Sequence, residues 1–150
     1  MWPYLAAAGL LVCLLALVKL NTAPDCLENY RADIIIQVPE ARISAEVADK
    51  PSELEKGLST KSCIGKNQGM LFIFERPGYH NFWMKEMNFP IDIVWLDERK
   101  RVIEVTENVD PATYPDTFAS SQPSGYVLEL QAGAAAKHGI RPGTELIFKH

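Results

Sequence analysis

The chain of 150 residues has only three cysteines, Cys13, Cys26 and Cys63, and none forms a CxxC pair. No histidine stands at a metal-ligand spacing from them, so a metal centre is a poor reading. A GxSxG elbow and a phosphate-cradling glycine loop are also missing. His80, His138 and His150 are far apart, at turns or ends, and none has a triad partner in view. Nothing calls for a cofactor. Basic residues are scattered, adjacent only around Lys100 and Arg101, and the net charge is −4. That balance argues against nucleic acid as a partner, and an acidic domain gains nothing from an anionic lipid surface.

Charge is absent altogether from residues 2–18 (WPYLAAAGLLVCLLALV). As a helix this run spans about 26 Å, which suits a signal-peptide core or a short membrane anchor. The expected layout is a signal peptide or anchor over 1–20, a linker over 21–31 and one β-rich domain over 32–150. No basic residue precedes the apolar run, and Asn21-Thr22-Ala23 before Pro24 is a poor cleavage site. The reading therefore leans to an uncleaved membrane tether through residues 2–18, although Lys19 on its far side opposes that orientation. The domain then lies outside the cytoplasm, in a periplasmic or extracellular space. Cys26 and Cys63 are candidates for a disulfide there, with two free thiols as the open alternative.

The rest reads as short strands. Asp33–Val38 is rich in β-branched residues, and Arg42–Ala48 alternates across a turn at Pro39-Glu40. Pro51–Gly57 reads as a short helix, with Pro at its start and Gly at its end. Met70–Phe74 reads as a buried strand before a Pro77-Gly78 turn. Asn81–Met87 and Ile91–Asp97 read as a hairpin around Met87–Pro90, with Trp83, Lys85, Asp92, Val94 and Leu96 on one face. Further strands are expected at Arg101–Glu107, Tyr126–Leu130 and Glu145–Lys149, with a helix over Ala132–His138. Residues 108–125 form an aperiodic loop, long enough to suggest function or a flap over the sheet edge. The fold class is mainly β: a small, partly open barrel or two packed antiparallel sheets, with two short helices behind an N-terminal hydrophobic helix.

Three stretches carry a family resemblance. Lys56-Gly57-Leu58 through Gly69-Met70-Leu71-Phe72 resembles a signature ending in GMLF. Phe82-Trp83-Met84-Lys85 with Pro90-Ile91-Asp92-Ile93 resembles FWMK…PLDI. Tyr126-Val127-Leu128-Glu129-Leu130 with Gly133 resembles YVLEL…G. Together, over roughly residues 40–149, they resemble domain of unknown function 192, also called uncharacterised protein family 0127. The resemblance implies a small, mainly β, partly open barrel and carries no activity with it. Ser59 and Lys61 depart from the usual Met and Arg, and Glu86-Met87 from the usual Asn-Thr.

Four residues are the candidates for binding or acid–base chemistry: Trp83, Lys85, Asp92 and Glu129. Lys85 and Asp92 face each other in the expected hairpin, either as a desolvated couple or as a plain cross-strand ion pair. Glu129 is either their partner or a buried structural carboxylate. Trp83, Trp95, Phe82 and Met84 are either a stacking surface or core. The leading expectation is a non-catalytic binding or accessory module using the aromatic hairpin and the 108–125 loop. Its partner would be a small ligand or an envelope protein. The alternatives are a hydrolase using Lys85, Asp92 and Glu129, and a structural cap on a membrane complex.

Overall fold

The computed structural model describes Cys26 and residues 29–150. The apolar run at 2–18 and most of the linker lie outside the described residues. Eight strands and two helices follow: β1 (Ile34–Val38), β2 (Ala41–Ala48), α1 (Pro51–Lys56), β3 (Gln68–Gly78), β4 (Phe82–Trp83), β5 (Ile91–Leu96), β6 (Val102–Val109), β7 (Thr117–Phe118), β8 (Ser124–Gln131) and α2 (Ala134–Lys137). The fold is mainly β, with one large sheet ordered β1-β2-β3-β8-β5-β6 and a two-stranded ribbon of β4 with β7.

Three expectations need correction. The large sheet is mixed, because β2 and β3 run parallel, joined by a crossover that carries α1. The hairpin of residues 81–97 does not form: β4 pairs with β7, and β5 lies between β8 and β6. Every side chain of β5 is buried, so its two apolar faces mark an interior strand. Residues 145–149 form no ladder strand. Glu145 and Ile147 instead make single bridges to Arg101, beside β6, and to Gln37 in β1. One short segment thus reaches both edges of a curled sheet, but no closed barrel results.

Each face of the sheet has its own core. Asp92, Val94 and Leu96 alternate with Ile91, Ile93 and Trp95 along β5. Val94 and Leu96 join Ile36, Leu71, Leu128, Leu130 and Phe148 under α2 and the C-terminal segment. Ile91, Ile93 and Trp95 join Leu58, Phe72, Phe82, Met84 and Val127 under the α1 crossover and β4. α1 starts at Pro51 and ends at Gly57, which takes a left-handed φ of 49°. Lacking buried residues of its own, α1 is anchored through Leu58 in the 3-10 turn that follows.

The residues just before β1 are sewn to this frame. Cys26 is bonded to Cys63. The Tyr30 hydroxyl lies between the Ser44 and Gly69 carbonyls and accepts from the Gly69 N–H at 3.0 Å. Burial pushes the Tyr30 phenol up to about 12. Lys61 Nζ is 2.6 Å from Glu46 Oε1 and donates to the Asn29 carbonyl, also at 2.6 Å. The Arg31 N–H meets the same Glu46 oxygen at 2.6 Å.

Candidate functional site

Asp92 is fully buried and faces away from the other candidates. Its two oxygens accept the Asn108 N–H at 2.9 Å and the Ala135 N–H at 3.0 Å. Asn108 has a left-handed φ of 53°, and Ala135 lies in the first turn of α2. That helix begins at Gly133, which has no side chain to cap it. Asp92 supplies the missing cap from the neighbouring strand. The couple of Lys85 with Asp92 is therefore not made. The pair of Asp92 with Glu129 also fails. Asp92 lies opposite Leu130 and Ile93 opposite Glu129, so the two carboxylates point to opposite faces of the sheet. The three-residue hydrolase group does not assemble, because the hairpin that would have joined it does not exist.

On the other face, Glu129 does find company. A cavity of about 280 Å³ opens between α1 and the sheet. Its apolar wall includes Leu54, Leu58, Phe72, Phe74, Phe82 and Met87, and Trp83 and Lys85 stand at its mouth. Trp83 is 45% exposed, and Lys85 Nζ lies 5.8 Å from its ring centroid. Tyr114, from the 108–125 loop, touches Trp83 edge-on at 6.3 Å. The same loop contributes β7, which pairs with β4. Trp95 and Met84 are core, Phe82 is buried in the cavity wall, and Trp83 is the exposed member of the four.

Glu129 is the buried polar residue of this cavity. Only 4% of it is exposed, and its Oε2 has no hydrogen-bond partner among the described residues. Burial pushes its carboxyl up to about 8, opposed in part by a hydrogen bond from the Leu58 N–H. Gly57 passes directly above. A β-carbon there would sit 3.2 Å from the Phe72 ring and 3.5 Å from Glu129 Oε2.

Sequence reasoning placed His80 at a turn and missed it. Its ring stacks on Phe74 with centroids 3.4 Å apart, and it lines the same cavity. Burial holds its imidazole below the usual histidine range, against hydrogen bonds to the backbone at Ser124 and Arg76. Nε2 is buried and has no hydrogen-bond partner among the described residues; with the proton on Nδ1 it is a lone-pair acceptor. The density of aromatics from Phe72 to Trp83 was the available signal. The cavity thus combines aromatic walls with two buried, unpartnered polar atoms, a combination typical of ligand pockets.

Two solved structures resemble this fold. A protein from Sinorhizobium meliloti 1021, described as a candidate transcription regulator, has 28% identity and a TM-score of 0.72, covering 77% of this chain and 92% of its own. A protein of unknown function from Novosphingobium aromaticivorans DSM 12444 has 28% identity and a TM-score of 0.69, covering 76% of this chain and 82% of its own. No curated protein matches the chain in sequence. The family model DUF192, described as Uncharacterized ACR, matches residues 34–148, which span all eight strands and both helices, and the chain therefore belongs to that family.

Proposed function

We propose that this domain is a small-ligand binding module whose site is the cavity between α1 and the sheet. One observation carries the reading. Glu129 places an unpartnered carboxyl oxygen among Phe72, Leu58 and Gly57, where a domain serving only as a scaffold gains nothing from it. Burying an unsatisfied polar group costs about 1–3 kcal/mol, and a ligand that pairs with it recovers that loss. Trp83 and Lys85 at the mouth supply an adaptable rim. The same module would work outside the cytoplasm, behind the apolar run at 2–18. The Cys26–Cys63 bond supports that address, since such bonds persist in oxidising compartments.

A fragment screen by methyl and aromatic NMR on the full chain tests the site. Binding fragments should shift Leu58, Met87, His80 and Trp83 together. Shifts confined to other surfaces, or no shifts from any fragment, sink the proposal. For the address, protease added to intact cells with a permeabilised outer layer should cut the domain. Protection until the inner membrane is lysed would place it on the cytoplasmic side.

A further inference from the structure

Two buried atoms of residues lining the cavity, Glu129 Oε2 and His80 Nε2, have no hydrogen-bond partner among the described residues. Once ionised, the Glu129 carboxylate offers only acceptors. The lining side chains that can donate, Lys56, Tyr79, Asn81, Trp83 and Lys85, are all exposed. Lys56 and Lys85 stand against Glu55 around the mouth, with Glu86 in the adjoining groove. Selection for a cation therefore rests with the buried carboxyl and not with the rim. The wall is rich in aromatic rings, whose faces attract cations.

We infer that the cavity takes the ammonium group of a small primary amine, with Glu129 as its counter-ion and His80 as a second acceptor. The inference rests on the binding reading above and names the ligand's chemistry. An ammonium brings three N–H donors to groups that lack them, and it brings the positive charge that burial denies Glu129. A hydroxyl or amide brings donors without charge. A carboxylate brings no donor, and it meets Glu129 as a like charge once Glu129 is ionised. A volume of about 280 Å³ accommodates a short alkyl or aryl amine.

Binding then carries a proton signature. Glu129 holds its proton below about pH 8, so the amine must displace it. Affinity should rise roughly tenfold per pH unit between pH 5 and 7 and level off above 8, with the amine itself charged until about pH 10.

NMR titration of the full chain with n-pentylammonium, pentan-1-ol and pentanoate provides the test. The cation should shift His80, Trp83 and Leu58 saturably and bind at least about tenfold more tightly than either comparator at about pH 9, where Glu129 is ionised and the amine still charged. E129Q should abolish that preference, and E129D should keep a pH-dependent affinity, while E145Q, an exposed carboxylate remote from the cavity, changes neither. Should E129Q not fold, the pH slope of the unaltered protein decides. A flat slope, or pentan-1-ol or pentanoate binding as tightly as the cation in this cavity, overturns the ammonium assignment and leaves the binding reading standing. If none of the three probes moves a cavity signal, both fall.

Discussion

At the scale of single residues, the two carboxylates of the sheet interior have opposite tasks. Asp92 has both oxygens occupied by backbone N–H groups that nothing else caps. In D92N the amide nitrogen must face one of those donors, so a loss on the order of 1–3 kcal/mol is expected. Ligand shifts in the cavity should survive, because Asp92 lies on the far face. A lowered melting temperature with intact cavity titrations is the expected result, and loss of binding at unchanged stability would return Asp92 to the site. Glu129 behaves in the opposite way. Its carboxyl is protonated in both folded and unfolded chains below about pH 4.5, and in the folded chain alone between there and about 8. The unfolded chain binds fewer protons in that window, so this group makes stability fall as pH rises through it. E129Q carries no such charge. Urea unfolding at pH 5, 7 and 9 should show the unaltered protein losing ground to E129Q by on the order of a few kcal/mol, and parallel curves would contradict the burial argument.

At the scale of elements, the pairing of β3 with β8 leaves no room for a side chain at Gly69. A β-carbon there would stand 2.6 Å from the Glu129 carbonyl oxygen and 2.9 Å from Leu130 Cδ2. G69A must therefore spread the pair, at about 1–3 kcal/mol, and the loss should appear as a lowered urea midpoint. Pairing with Tyr30 would loosen with it, since Tyr30 holds both Gly69 backbone groups. The GMLF stretch was legible as a buried strand, and so was the alternation along β5. Partners were not. Residues 81–87 and 91–97 have the composition and spacing of a hairpin, and local pattern cannot reveal that β7 and β8 compete for them. Phe82 and Met84 still share a core with Ile91, Ile93 and Trp95, as that hairpin would have placed them, because burial follows side-chain alternation whichever strand is opposite. The grouping of Trp83, Lys85 and Glu129 about one cavity was half legible for the same reason. Asp92 was assigned to it by a false register, and His80 escaped because a turn position says nothing about what its ring will stack on.

At the scale of the whole molecule, the chain before β1 and the chain after α2 both return to the sheet. The first return is made by the Cys26–Cys63 bond, Tyr30 and the Lys61–Glu46 pair. The second is made by the last residues. Ile147 exchanges backbone hydrogen bonds with Gln37 on one edge, and Val102 exchanges them with Thr144 and Gly143 on the other. Edge strands left open are templates for strands of other molecules. The C-terminal segment therefore covers part of each edge as well as filling the core. A chain ending at Arg141 would lose Leu146 and Phe148 from the core and uncover an edge that includes Ile35, itself 51% exposed. Light scattering of that truncation should rise with concentration while the full chain stays monodisperse, and equal behaviour of the two would show that the edges are protected without it. Were the apolar run at 2–18 to hold the domain at a membrane, where neighbours are crowded into two dimensions, a sealed edge would keep adjacent copies from polymerising through their sheets.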